Sequence, residues 1–291
     1  MIITRLMGGL GNQMFQYAAG RCLAHSLNTE LKLDISRFRQ DSLRGYELSA
    51  FSITGTIAAE EDLNRVRHPL PWMLIHPAQA LKSLIRQNST IQYVKEKQFQ
   101  FDPAFFDLPD NIYLEGYWQS EKYFKRIEPL IRQEFRLHVG PGAQVQELSE
   151  RIREGNAISI HIRRGDYVNN PSTNATHGVC SVGYYHQAVE RISRQVGDLR
   201  FWIFSDDPAW VKENITLDYP YYCIPDHHLK NYEDMYLMSC CKHHIIANSS
   251  FSWWGAYLGS NPGKIIIAPK NWFKKTDIST TDLLPESWIQ L

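Results

Sequence analysis

The chain has 291 residues, 43% of them apolar and 21% charged, and lysine plus arginine equals aspartate plus glutamate at 31 each. That length supplies ample core for one large domain or two ordinary ones, and a net charge of zero provides no general attraction for nucleic acid or an anionic membrane. No segment approaches the ~20 continuous apolar residues of a membrane span.

The N-terminus shows no charged leader with an apolar run behind it, and Cys22, Cys180, Cys223, Cys240 and Cys241 lack the spacing of a disulfide framework. A cytoplasmic chain with reduced thiols is expected, at most peripheral on the inner face of a membrane.

In chain order, an apolar strand over residues 2–6 runs into a turn containing Gly8, Gly9 and Gly11. Met14 stands where the dinucleotide fingerprint needs a third glycine, and no Gly-Lys-Ser/Thr follows, so neither phosphate-loop pattern is completed. A helix is expected over residues 12–27, with Phe15, Ala18, Ala19, Cys22 and Leu23 as its apolar stripe. Residues 31–36 alternate as a strand, and residues 37–101 carry weak signals apart from a helical stretch at 77–87. A strand leading into a loop is expected at 111–120 and a helix at 121–135. Gly140, Pro141 and Gly142 then mark a linker. Beyond it the alternation is regular: strands at 157–163, 199–205, 244–248 and 264–269, and helices at 184–196, 208–214, 232–241 and 252–259. Such alternation predicts βαβ units with a parallel sheet. The expected division is residues 1–140 and 146–291, with the last residues packing back on the first lobe.

Three motifs fall at strand ends. In AISIHIRRGDYV (157–168), Ile158, Ile160 and Ile162 share one face, while Ser159, His161 and Arg163 share the other. The C-terminal edge of a parallel sheet is where α/β proteins place ligands, and a guanidinium fork matches phosphate or carboxylate. Two arginines and a histidine exceed what Asp166 alone neutralises, which favours an anion site over a structural Arg163–Asp166 pair. In FSDDPAW (204–210), Ser205, Asp206 and Asp207 precede Pro208, which suits a first helical position, so one aspartate caps the helix and the surplus carboxylate is available to a base or ribose. In ANSSFSWWGAYL (247–258), serines gather at a helix start, where free N–H groups accept anions or where Ser249 or Ser250 is a simple cap. No D-x-D triplet occurs, which disfavours metal-bridged diphosphate binding. The Cys240-Cys241-x-His243-His244 cluster is poorly spaced for a metal, because adjacent residues point apart on a helix or a strand.

GGLGNQMFQYA, HIRRGDY, FSDD and NSSFSWWGA, in that order from residue 5 to about 270, resemble the inverting α-1,2-fucosyltransferases of glycosyltransferase family 11. The resemblance implies a GT-B-like α/β architecture of two Rossmann-like lobes facing across a cleft, an acceptor-side first lobe and a donor-binding second lobe. It implies GDP-β-L-fucose as donor, a galactose-terminated oligosaccharide as acceptor, an α-1,2 product in surface (O-antigen-like) glycan synthesis, no cofactor and no metal. Arg163, with His161 in support, becomes the clamp on the departing β-phosphate, and Asp166 the first candidate for general base, with Glu115 and Glu233 open. Gly11, Asn12, Gln13, Arg164, Ser205, Asp206, Asp207, Asn248, Ser249, Ser250, Phe251 and Ser252 become donor- or substrate-binding candidates.

Overall fold

The computed structural model describes residues 1–41, 43–67, 76–78, 90–224, 229–275 and 277–291. The chain divides into two compact units, Met1–His138 with Thr281–Leu283, and Val139–Thr280 with Leu284–Leu291. The helix expected at 77–87 lies almost wholly outside the described residues. Among the described residues no helix is long and apolar enough to cross a membrane.

The first unit is built on β1 (Ile2–Arg5), β2 (Leu31–Asp34), β3 (Thr56–Ile57), β4 (Val66–Arg67), β5 (Ile91–Lys95) and β6 (Ile112–Glu115). They lie in the order β3-β2-β1-β6-β5-β4, and every pairing is parallel. Strand order therefore reverses between β1 and β6, and such a switch point leaves a crevice beyond the strand C-termini. The helix Leu10–Ser26 begins two residues before its expected start, with Gly9 extended at its N-cap. Its stripe of Phe15, Ala18, Ala19, Cys22 and Leu23 is fully buried.

The helix expected over 121–135 is broken. Short 3₁₀ turns occupy Glu121–Tyr123 and Lys125–Ile127, and the α-helix is confined to Glu128–Glu134. Pro129 is the cause: it lacks an N–H and is tolerated only in a helix's first turn.

The second unit carries β7 (Asn156–Ile162), β8 (Leu199–Ser205), β9 (Tyr221–Cys223), β10 (His243–Ile245), β11 (Ile266–Ala268) and β12 (Ile289–Gln290). The order is β12-β11-β10-β7-β8-β9, again all parallel, which is the doubly wound arrangement with its reversal between β7 and β10. On one face Ile158, Ile160 and Ile162 pack with Tyr185, Val189 and Ile192 of the helix Val182–Ser193. On the other, Ala157, Trp202 and Phe204 pack with Leu148 and Ile152 of Ala143–Arg153 and Leu237 and Met238 of Asn231–Cys240. Each fully buried aliphatic side chain there contributes roughly 1.5–3 kcal/mol. This two-sided core fixes β7 in register, so the residues after Ile162 emerge at the switch point. The α/β class expected from sequence, with two Rossmann-like units, is the observed one.

Candidate functional site

His161 lies opposite Phe204 and Ile162 opposite Ser205 in the β7–β8 ladder, so the RRGD and SDD segments leave the sheet side by side. Arg163 Nη2 donates to Asp166 Oδ1 at 2.6 Å, and its Nη1 is 2.8 Å from Asp206 Oδ2. The Arg164 backbone N–H donates to Asp206 Oδ1 at 2.8 Å, its Nε donates to Asp207 Oδ2 at 3.1 Å, and its guanidinium lies 4.0 Å from the Trp210 ring centre. Gly165 permits this closeness, since a Cβ there would sit 2.5 Å from Asp206 Oδ2.

Two guanidinium groups therefore face three carboxylates. Asp166 alone does not neutralise the arginines, but Asp206 and Asp207 join it, so the cluster has a surplus of one negative charge. The spare carboxylate expected in SDD is also accounted for. Asp207 Oδ1 caps the helix Pro208–Asn214 through the Trp210 N–H at 3.1 Å, Ser205 Oγ accepts from the Asp207 N–H at 3.0 Å, and Asp206 binds both arginines.

Beneath this cluster His161 is buried, and its Nδ1 has no hydrogen-bond partner among the described residues. Burial pushes its pKa down to about 4, with Arg163 acting in the same direction and Asp206 opposing. The ring is neutral at physiological pH and lies 5.4 Å from Phe251. Beside Arg163, the Tyr167 ring stacks on His177 at 4.8 Å and its hydroxyl donates to the Asn248 carbonyl at 3.2 Å. Tyr167 and His177 had no assigned role in the sequence. Their pairing across ten residues depends on the helices Gly165–Asn169 and Pro171–His177, which no strong periodicity announces.

The NSSFS segment is more inward than expected. Asn248 Nδ2 lies 2.9, 3.4 and 3.1 Å from the carbonyls of His177, Gly178 and Trp272, so this amide clamps loops. Ser252 is fully buried, and its hydroxyl lies 3.1 Å from the carbonyls of Ala247 and Ser249. Ser249 stands at the N-cap of the helix Ser250–Leu258 without a side-chain cap, and Ser250 and Phe251 are its half-buried first residues.

In the first unit, Gly8 adopts φ +76° at the end of β1, and a Cβ there would meet Asn12 Nδ2 at 2.6 Å. Gln13 is fully buried. Its Nε2 donates to the Gly8 and Gly45 carbonyls at 3.0 and 2.8 Å, and its Oε1 accepts from the Glu47 N–H at 3.0 Å. Its amide is thus consumed in bracing the turn rather than offered to a substrate. Gly11 is buried in the first helical turn, while half-buried Asn12 accepts from Gln119 Nε2 at 2.7 Å. Glu115 pairs with Arg5, and Glu233 Oε2 accepts the Lys230 N–H at 2.8 Å, so both open base candidates are engaged locally.

The cysteine–histidine cluster disperses. Cys240 Sγ accepts from Arg153, Cys241 Sγ donates to the Leu237 carbonyl, His243 Nδ1 accepts from Ile265 and His244 Nδ1 faces Ser159 Oγ. Among the described residues no group of three or more His, Cys, Asp or Glu is placed to hold a metal ion.

Residues 72–291 match the family model described as Glycosyl transferase family 11. The chain belongs to that family. It is 33% identical over 298 residues to an α-1,2-colitosyltransferase of Escherichia coli, covering 100% of this chain and 99% of the relative. It is 32% identical over 309 residues to the O-antigen biosynthesis glycosyltransferase WbnK of Escherichia coli, covering 98% and 99%. A solved structure of the NodZ α-1,6-fucosyltransferase soaked with GDP-fucose shares the fold at a TM-score of 0.52 and 17% identity, covering 90% of this chain and 96% of that one. Membership of glycosyl transferase family 11 makes this chain a glycosyltransferase.

Proposed function

We propose that this protein transfers L-fucose from GDP-β-L-fucose to the 2-hydroxyl of a terminal galactoside, with inversion, in the assembly of a surface glycan. The observation that carries the reading is the position of Arg163: it follows β7 directly, at the edge where β7 and β10 diverge, with Asp166 and Asp206 fixing its orientation. Departure of GDP leaves negative charge on the β-phosphate and positive character on the sugar. A pre-oriented guanidinium stabilises the first as it develops, and buried, neutral His161 supports Arg163 from below without competing for the phosphate. The acceptor hydroxyl attacks from the opposite face, and Asp166 is the carboxylate assigned to take its proton. Arg164, Ser205, Asp207, Ser249, Ser250 and Phe251 are assigned to the donor side of the site; the pairing of Arg164 with Asp207 and the 5.4 Å approach of Phe251 to His161 support this. A guanidinium does the work a bridging metal does in other transferases, so chelator should leave the rate intact.

A transfer panel of GDP-fucose, GDP-mannose and UDP-sugars against galactosides, with linkage analysis of the product, tests the reading. An α-1,2-fucosylated galactoside supports it, and transfer from another donor alone replaces it. One alternative has a specific observation behind it. The α-1,2-colitosyltransferase relative matches the whole chain, and colitose is fucose without its 3-hydroxyl. GDP-colitose therefore belongs in the same panel, and the preferred donor is the one with the higher kcat/KM.

A further inference from the structure

The C-terminal edge of the first unit's sheet carries a carboxylate that none of the roles above uses. Glu96 follows β5 directly, and Gly116, Tyr117 and Trp118 follow β6, whose Glu115 lies opposite Lys95 in the ladder. Strand β6 borders the switch point with β1, and the crevice beyond such strand ends is where α/β proteins place ligands. The Glu96 side chain folds onto the neighbouring turn: the Tyr117 N–H donates to its Oε2 at 2.6 Å and the Trp118 N–H to its Oε1 at 3.0 Å. Gly116 makes room for it, since a Cβ there would lie 2.4 Å from the Glu96 Cβ.

Two features set this turn apart from an ordinary brace. Trp118 sits at φ +54°, a left-handed conformation that a bulky side chain rarely adopts, and strain of this kind gathers at ligand clamps. The two backbone N–H groups also fail to compensate the carboxylate for its burial. Desolvation pushes its pKa up to about 7, and among the described residues no cation pairs with it. Each oxygen accepts one N–H and keeps a further lone pair for a hydroxyl donor. Beside it, the Tyr117 side chain is 40% exposed. A carboxylate next to an open aromatic face matches a pyranoside, whose hydroxyls suit the one and whose C–H surface suits the other.

We propose that Glu96 and Tyr117 form an acceptor-sugar subsite on the first unit, with Glu96 accepting from hydroxyls of the terminal pyranoside and Tyr117 packing on its ring. The assignment rests on the transferase reading. It is tested with Glu96→Gln, which keeps the shape and removes the charge, and with Tyr117→Ala, each assayed with lactose as acceptor. The expected result is a lactose KM raised about tenfold in Glu96→Gln, the scale of a lost charged hydrogen bond, and about fivefold in Tyr117→Ala, the scale of a lost ring contact. The donor KM and GDP affinity stay unchanged in both, which separates the subsite from a general loss of structure. An unchanged lactose KM in either folded variant, or an equal shift in donor KM, overturns the proposal. If Glu96→Gln fails to fold, the exposed Tyr117→Ala decides alone. If the wild-type protein transfers no sugar, the transferase reading fails separately. Saturation-transfer NMR with methyl β-galactoside then decides the subsite: a signal lost in Tyr117→Ala upholds it, and a signal retained in that variant or missing from the wild type overturns it.

Discussion

Arg163 and Asp166, three residues apart in the chain, meet through a 2.6 Å hydrogen bond while the other end of the same guanidinium is 2.8 Å from Asp206. The arginine is thereby held in a plane that a flexible ammonium cannot reproduce. Arg163→Lys preserves charge but loses the fork, and is expected to lower kcat by on the order of 100- to 1,000-fold. The check is a steady-state transfer assay at saturating donor; near-normal turnover removes Arg163 from its role.

The same hydrogen bond makes Asp166 a rival of the incoming pyrophosphate for Nη2. Asp166→Asn should tighten GDP binding by about tenfold, consistent with removal of a charged hydrogen bond, and should lower kcat by on the order of 100-fold or more through loss of the base. Titration calorimetry and turnover, measured on one preparation, separate the two effects. Weaker GDP binding together with a matching loss of turnover would mark Asp166 as a positioning residue.

Gly165→Ala tests the closeness of the two acidic loops. The new Cβ would lie 2.5 Å from Asp206 Oδ2, so the carboxylate must shift away from both arginines. A stability loss of about 1–3 kcal/mol is expected in urea unfolding, with transfer falling further than stability alone explains. Wild-type activity in this variant would show that Asp206 is dispensable.

Gln13 satisfies two carbonyls and one N–H around the glycine turn. Gln13→Ala leaves these groups without their partner, at about 1–3 kcal/mol for each that stays buried. The measurement is the urea midpoint. A stable variant with a specific defect in donor affinity would return Gln13 to substrate binding.

Burial lowers the pKa of His161 to about 4 and also lowers those of His177, His243 and His244. In the unfolded chain these rings take up protons near the ordinary value of about 6.5. Below that pH the unfolded state binds more protons than the native one, so stability is expected to fall as pH drops from about 6.5 toward 4. Thermal unfolding across this range checks it, and His161→Phe should flatten the slope. A stability profile level down to pH 4 would contradict the burial.

Much of this architecture was legible because the second unit advertises itself locally. The strand at 199–205 and the helix at 208–214 occupy the residues expected of them, since a short continuous apolar run rich in aromatics and a proline at the first helical position are both short-range signals. The first unit was harder to read. Strands β3 and β4 are two residues each, formed by edge pairing rather than by any pattern of their own. At the site, the sequence revealed which residues cluster but not how their charges are distributed. Asp206 and Arg163 are far apart in the chain, and only the His161–Phe204 register brings them together. Likewise Asn248, Gln13 and Ser252 look available as polar letters, yet each turns inward to backbone groups of the fold.

The return of Thr281–Leu283 to the first unit has a practical side. Asp282 there accepts from the Phe101 N–H and Lys122 Nζ, and its carbonyl accepts from Ser120 Oγ, while the residues just after it supply β12 to the second sheet. A single cut near residue 139 cannot yield two self-sufficient halves. Chimaeras that seek donor preference by exchanging halves between relatives must therefore carry this tripeptide with the N-terminal parent, or they will measure misassembly and report it as specificity.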